Sequence, residues 1–346
     1  MDTADTQPPS RSARGRSPLL SVAAAVVLLP LVLSLGPRNR VKELPRHAGP
    51  DTGVVLQVVE VREADRLVRF LDALWERFGE EGVAPAVAPE RIPRGMARVP
   101  SADRKRTFVR AVLPYILAEN EAIRKDREVL LSVQERLEQG GRLSEMETLH
   151  LLRLAREYRM DLDAEDLPAR APEMVRELLL RVDVVPPALA LAQAALESAW
   201  GSSRFVVEGN ALFGQWVFSS SKGMAPRRRP EGADYAVAAF GGLDEAVRGY
   251  MRNLNTLWAY EALREVRASF RRRGLPLDPC RLAEGLLLYS TRREEYVAEV
   301  VQVIRHNRLE RYDGLRLVPV PPEQVRKLLA VPPVVAGTGR PVASDV

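Results

Sequence analysis

Cysteine and histidine are scarce in this chain, which has one cysteine and three histidines among 346 residues. The lone Cys280 excludes an intrachain disulfide and is best explained as an inert buried thiol. The histidines, His47, His150 and His306, show no metal-ligand spacing, so neither a zinc site nor a Ser-His-Asp triad has enough residues to form. No nucleotide or flavin motif is present, and we expect a protein without a metal or cofactor.

A strong excess of charge is also lacking, since the formal net charge is only +5. Two arginine runs, at residues 227–229 and 271–273, could create a local positive field for nucleic acid, anionic lipid or an anionic cell-wall polymer. The simpler interpretation is that they lie in solvated loops. We therefore expect no nucleic-acid partner.

One long stretch, residues 17–37, carries no charge at all and is preceded by Arg11, Arg14 and Arg16. Its length just suffices to cross a bilayer, with the basic side in the cytoplasm and the rest of the chain exported. The small residues Ser34 and Gly36, separated by one residue, would suit a signal peptidase, but a proline and further basic residues follow. We expect an uncleaved inner-membrane anchor, with a cleaved signal peptide as the alternative.

The remaining pattern is mainly helical. Ser144 stands three residues before Glu147, a capping box that opens the second helix of a helical hairpin. Later, apolar runs at Gln215–Phe218 and Tyr235–Phe240 predict a small irregular β-hairpin. The expected organisation is a cytoplasmic tail and membrane anchor or signal segment (1–40), a linker-like region with a short helix (41–103), a helical hairpin extension (104–175), a helical domain that holds the site (176–315) and a Pro-rich disordered tail (316–346).

Glu197 is the most informative residue, because it is the only ionisable one between Asp183 and Arg204. It lies on an apolar helix that starts at the Pro186-Pro187 pair and ends at Gly201. Burial disfavours the charged form of a carboxylate, so this setting should leave Glu197 able to donate a proton near neutral pH. The alternative is a glutamate at the solvent-exposed edge of a core helix.

Three segments of the sequence carry a resemblance. They are Ala192–Ser203 (AQAALESAWGSS), Asn210–Trp216 (NALFGQW) and Tyr289–Tyr296 (YSTRREEY). Together they resemble the signature blocks of glycoside hydrolase family 73, and the spacing is most similar to its bacterial Bax-type glucosaminidases. The similarity extends from Phe108 to Asp313 and covers neither end of the chain.

The resemblance implies a lysozyme-like, mostly helical fold that acts on peptidoglycan glycan strands. The cleaved bond would be the β-1,4 link on the reducing side of N-acetylglucosamine. Glu197 matches the family's catalytic acid, and Glu231 best matches a second acidic residue on the hairpin, with Asp234 and Glu208 as rivals. If no carboxylate serves, the substrate's own N-acetyl group could attack.

Family positions that line the cleft match five further residues. Sugars stack on aromatic rings while polar groups fix their hydroxyls, yet each of these residues could equally be core packing. Phe213 fits the core better and Tyr289 fits the site, whereas Asn210 would hold the loop or an N-acetyl group. The full set of expected substrate-binding residues is Asn210, Phe213, Trp216, Tyr235 and Tyr289. One departure is Arg292, which replaces an expected acidic residue, so a helix cap there is missing or supplied by Glu294.

Other functions stay open on the sequence alone. A lytic transglycosylase or a muramidase would act on the same glycan with a similar glutamate, although the Gly-Leu-Met-Gln type block of transglycosylases is absent. A non-catalytic cell-wall binding protein would keep the aromatic residues but needs no protonatable Glu197. We expect an enzyme of the cell envelope, membrane-anchored through residues 17–37, with its catalytic domain in the periplasm or outside the cell.

Overall fold

The computed structural model describes residues 54–161, 165–217, 223–224 and 236–330. This part of the chain is mainly α-helical, which confirms the predicted mainly α, lysozyme-like class. Its helices are α1 (Ala64–Phe78), α2 (Ser101–Glu138), α3 (Glu145–Glu157), α4 (Leu167–Arg181), α5 (Pro187–Ser198), α6 (Arg204–Gly209), α7 (Leu243–Thr256), α8 (Glu261–Arg272), α9 (Pro279–Ala283), α10 (Glu294–His306) and α11 (Pro322–Ala330).

Short strands form three small sheets in the described residues. The strands are β1 (Gln57–Val59), β2 (Val83–Pro85), β3 (Val87–Pro89), β4 (Trp216–Val217), β5 (Gly223–Met224), β6 (Ala236–Ala238) and β7 (Arg316–Val318). β1 pairs in parallel with β3, and β2 with β7. The predicted hairpin corresponds to the antiparallel pair β4 and β6, and β5 extends it along the other edge of β6.

Helix α5 lies at the centre of the fold. Each residue from Ala188 to Ala195 is at most 1% exposed, as expected for a helix that is apolar on every side. It packs against α2, α9, α10 and the 3-10 turn Leu309–Tyr312. Its first turn is held by Asp313, whose Oδ1 accepts a hydrogen bond from the Ala188 N–H at 2.7 Å. This carboxyl group accepts a hydrogen bond from an amide that the helix itself leaves unpaired.

The long helix α2 supports α5 from one side and forms a hairpin with α3. Its first half is buried, whereas its charge-rich second half is mostly exposed. The predicted capping box at the start of α3 is present, because Ser144 Oγ accepts from the Glu147 N–H and Glu147 Oε2 accepts from the Ser144 N–H. Gly140 has φ +77°, which lets the chain reverse between the two helices.

Residues 54–100 differ from the linker-like expectation, because they pack on the helical core. Leu67, Leu71 and Leu74 of α1 are fully buried, and Ile92 is 1% exposed. Each short apolar segment between the prolines buries a few side chains. Composition alone does not distinguish such a folded segment from a linker. From the other end of the chain, α11 packs on α1 and β7 pairs with β2, so residues 316–330 also differ from the expected disordered tail. Residues 331–346 lie outside the described residues.

The expected membrane segment, residues 17–37, lies outside the described residues and stays a prediction. Within the described ranges, every helix is too short or too polar to cross a bilayer.

A buried ionic cluster fixes the chain just before α5. Asp183 is 2% exposed and accepts two hydrogen bonds from Arg271, at 2.9 and 2.8 Å. Arg127 and Arg267 lie 3.6 and 3.8 Å away. Burial opposes ionisation of Asp183, but the hydrogen bonds from Arg271 and the charges of all three arginines hold its pKa below the usual value. The first arginine of the 271–273 run is therefore structural.

We predict that Asp183→Asn destabilises the protein, because three guanidinium groups would lose their shared countercharge. Breaking a buried ion pair on one side typically costs about 3–5 kcal/mol of unfolding free energy. Urea unfolding at neutral pH should show this loss, whereas the matched control Asp161→Asn, at an exposed position, should leave stability nearly unchanged. A variant at Asp183 as stable as the control would contradict the prediction.

Candidate active site

Glu197 lies in the last turn of α5 and its side chain is partly buried. The loop that follows α6 passes directly over its carboxyl group. A Cβ atom at Gly214 would lie only 3.0 Å from Glu197 Oε2, and Gly214 has φ +59°. Both facts favour glycine there, because any side chain would crowd the carboxyl group and strain the backbone.

The chain turns sharply immediately after Glu197. Ala199, Trp200 and Gly201 all have positive φ, at 51°, 56° and 78°. Such conformations are costly for residues with a Cβ atom and persist only where the surroundings enforce them. Here the Ser198 hydroxyl accepts a hydrogen bond from the Gly201 N–H at 2.9 Å. A Cβ atom at Gly201 would lie 2.9 Å from the Phe108 ring, so this turn also requires glycine.

A buried chain of hydrogen bonds leads to the Glu197 carboxyl group. The Tyr250 hydroxyl donates to Gln193 Oε1 at 2.7 Å, and Gln193 Nε2 donates to the Tyr296 hydroxyl oxygen at 3.0 Å. The Tyr296 hydroxyl in turn hydrogen-bonds to Glu197. Because Gln193 already donates to the Tyr296 oxygen, the Tyr296 proton is directed toward the carboxylate. Gln193, Tyr250 and Tyr296 are each at most 2% exposed, so water competes little with this chain.

Burial raises the pKa of Glu197 to about 7, while the hydrogen bond from Tyr296 and the charge of Arg292 act in the opposite direction. Arg292 is held in place by Glu299, which accepts a hydrogen bond from Nη2 at 2.8 Å and a second one from Nη1. A carboxyl group with this pKa is partly protonated at neutral pH and can act as a proton donor.

Arg292 has a structural consequence at the start of α10. The N-cap residue of this helix, Arg293, makes no side-chain capping hydrogen bond, and its φ is 43°. Of the two expectations for this position, the missing cap matches the described structure. The arginine that replaces an acidic residue instead places a positive charge near Glu197.

Two of the expected substrate-binding residues support the loop over Glu197. Asn210 is 3% exposed, and its Nδ2 donates to the carbonyl oxygens of Phe240 and Gly241 at 3.0 and 3.4 Å. Phe213 is 1% exposed and stacks on Tyr250 with ring centroids 3.8 Å apart. Both side chains therefore face the protein interior and fix the course of the loop.

Tyr289 joins the same loop to α10. Its hydroxyl donates to the Phe213 carbonyl oxygen at 2.8 Å, and its half-buried ring stacks on Tyr296 at 5.2 Å. Trp216 contributes its backbone to β4. Glu208 is exposed and forms an ion pair with Arg204 at 3.2 Å. The other candidates, Glu231, Asp234 and Tyr235, lie outside the described residues and stay predictions.

No role for Gln193, Tyr250 or Tyr296 is predicted from the sequence. Gln193 precedes Glu197 by four residues on the same helix, so a buried polar side chain beside the glutamate is the signal that could have identified it. Tyr296 belongs to the third signature segment. Tyr250 gives no comparable signal, since a tyrosine on an amphipathic helix is usually part of the core.

A family model described as mannosyl-glycoprotein endo-beta-N-acetylglucosaminidase matches residues 173–309. The match includes α5, the loop over Glu197 and all three tyrosines of the site. The chain thus carries a glucosaminidase-type domain within residues 173–309. This domain supports a glycan-cleaving hydrolase.

The chain is also similar to protein bax of Escherichia coli (strain K12). The two are 31% identical over 195 residues, which are 56% of this chain and 66% of the relative. The chain thus spans slightly less than two thirds of that relative's length. No solved structure matches the chain.

We predict that Glu197→Gln stabilises the protein at alkaline pH. The folded state prefers the protonated acid, whereas in the unfolded chain the glutamate ionises near its ordinary pKa. At pH 8 the wild type must bury a charge, so the glutamine variant should be more stable by up to about 3 kcal/mol. This gap should close as the pH falls through 7 toward 4.5.

Denaturant unfolding at several pH values measures the gap. The matched control Glu128→Gln changes an exposed residue of α2. If the glutamine variant at position 197 is no more stable than wild type at pH 8, the buried acid is not present as described.

Proposed function

We propose that this protein is a peptidoglycan hydrolase that cleaves the β-1,4 glycosidic bond on the reducing side of N-acetylglucosamine, with Glu197 as general acid. The observation that carries the proposal is the Glu197 carboxyl group, with a pKa raised to about 7, at the end of a buried helix in a glucosaminidase-family domain. The glucosaminidase-type domain supports the glycosidase class, and the resemblance to Bax-type proteins suggests the substrate.

In this proposal the protonated Glu197 gives its proton to the leaving glycosidic oxygen. The carboxylate that remains is stabilised by the hydroxyl of Tyr296 and by the charge of Arg292. Both groups are positioned before the reaction, Tyr296 by Gln193 and Arg292 by Glu299. Such fixed donors stabilise a developing charge without reorganisation.

A second group must stabilise or attack the oxocarbenium-like transition state. We propose Glu231 of the hairpin for this role, with Asp234 and Glu208 as rivals and the substrate's N-acetyl group as a further possibility. Trp216, Tyr235 and Tyr289 are proposed to contact the sugar rings, while Asn210 and Phe213 support the loop over Glu197. The ion pair of Glu208 with Arg204 makes that residue the weaker of the rivals.

We predict that Glu197→Gln lowers kcat on purified peptidoglycan by at least about 100-fold, the usual scale for losing a general acid. The fold should be intact, since glutamine is nearly isosteric. Release of dye from labelled cell walls measures turnover, and Glu128→Gln again serves as the control. A folded variant with near-normal turnover would exclude Glu197 as the acid.

The identity of the cleaved bond distinguishes the proposed activity from its alternatives. Borohydride reduction of digested glycan, followed by acid hydrolysis, should yield glucosaminitol. Muramitol as the main alditol would identify a muramidase. Anhydromuramic ends without new reducing groups would identify a lytic transglycosylase, and the absence of any cleavage would favour a cell-wall binding protein.

We also propose that residues 17–37 anchor the protein in the inner membrane, with the catalytic domain in the periplasm or outside the cell. The full chain should fractionate with membranes and resist carbonate extraction. A version that begins at Val54 should be soluble and active, whereas one that begins at Arg104 should be unstable because it lacks α1 and the buried Ile92. Recovery of mature protein with a new terminus at Pro37 or later would show a signal peptide instead.

A further inference from the structure

Trp258 is the only exposed residue among the aromatic side chains that the structure describes. It is 66% exposed, while the next two residues of the same 3-10 turn, Ala259 and Tyr260, are buried. A single exposed apolar side chain needs no explanation by itself. The surroundings of Trp258, however, connect it to the candidate active site.

A row of aromatic rings leads from this turn to Glu197. The ring centroids of Tyr260 and Tyr289 are 6.0 Å apart, and those of Tyr289 and Tyr296 are 5.2 Å apart. Tyr296 hydrogen-bonds to Glu197. Burial raises the pKa of Tyr260, and the charge of Glu197 adds to this rise, as expected for groups that lie close together. Trp258 precedes Tyr260 by two residues on the same 3-10 turn, and its own side chain is exposed.

The backbone that carries Trp258 is fixed although the indole is in solvent. The buried Arg264 guanidinium donates to the carbonyl oxygens of Leu254 and Leu257 at 3.1 and 2.8 Å. The Leu257 N–H donates to the Asn253 carbonyl oxygen at 2.9 Å, and the Tyr260 N–H donates back to Leu257 at 3.1 Å. An apolar ring on a rigid support loses little conformational entropy when it binds a ligand.

We infer that Trp258 is an outer sugar-binding platform, which stacks its indole face on an N-acetylhexosamine ring of the glycan beyond the sugars next to the cleaved bond. This inference rests on the proposed function. An indole suits the C–H face of a sugar ring. The turn that carries Trp258 also carries Tyr260, whose ring lies 6.0 Å from Tyr289 beside the candidate site, so a glycan that extends from the site could reach the indole. A protein partner is a poorer fit, because a stable interface buries roughly 800 Å² on each side, which is far more than one indole offers.

The test compares full-length wild type with Trp258→Ala, Trp258→Tyr and the control Met146→Ala, which removes a 74% exposed side chain from α3. KM and kcat are measured on glycan strands and on short oligosaccharides that fill only the sugars next to the cleaved bond. Trp258→Ala should raise KM for the long strands by about 3- to 10-fold with little change in kcat. Short substrates should be unaffected, Trp258→Tyr should lie between, and Met146→Ala should match wild type.

Binding without turnover separates this inference from the proposed function. In the Glu197→Gln background, each variant is sedimented with purified sacculi and separately analysed for self-association. Weaker sedimentation with sacculi for Trp258→Ala supports the platform even if the wild type proves to have no hydrolytic activity. Unchanged affinity for sacculi and unchanged KM would overturn it. A loss of self-association with unchanged sacculus binding would overturn it too, by assigning the indole to a contact between copies of the chain.

Discussion

The site depends on one constraint, namely that a carboxyl group must be kept at the end of a helix buried on nearly every side. The apolar face of α5 is covered by α2, α9 and α10, which leaves Glu197 in an environment that favours its neutral form. The loop with Gly214 closes over the carboxyl group, and the left-handed turn at Ala199–Gly201 takes the chain away from it. The hydrogen-bond chain through Gln193 and Tyr296 then supplies the one donor that the carboxylate needs.

Stability and function oppose each other along α5. Asp313 at its first turn and Glu197 at its last are both carboxyl groups whose pKa burial raises to about 7. Positive φ values at Ala199 and Trp200 add backbone strain beside the site. The ionic cluster around Asp183 anchors the chain where α5 begins. A rigid attachment at the start of α5 is consistent with a strained turn at its end.

Several features could be predicted because their causes are local. The apolar run around Glu197 predicted both a buried helix and a perturbed acid, and the Ser144 capping box predicted the start of α3. The contact between Gln193 and Tyr296, which positions a donor beside Glu197, could not be predicted in the same way, since the two residues are 103 positions apart in the sequence. Phe213 shows a related difficulty, because an aromatic residue in a loop can face a sugar or the core. In residues 54–100, the sequence alone does not show that the short apolar segments are folded. Their fold becomes clear only from the core residues against which they pack.

The pH dependence of kcat/KM, compared between wild type and Tyr296→Phe, tests the account most directly. Turnover should fall as the pH rises through about 7, because the acid loses its proton. The Tyr296 hydroxyl stabilises the carboxylate, so removing it should raise the pKa of Glu197 and move this alkaline limb to higher pH. An alkaline limb that stays in place or moves to lower pH in Tyr296→Phe would contradict the assignment of Glu197 as a buried acid controlled by Tyr296.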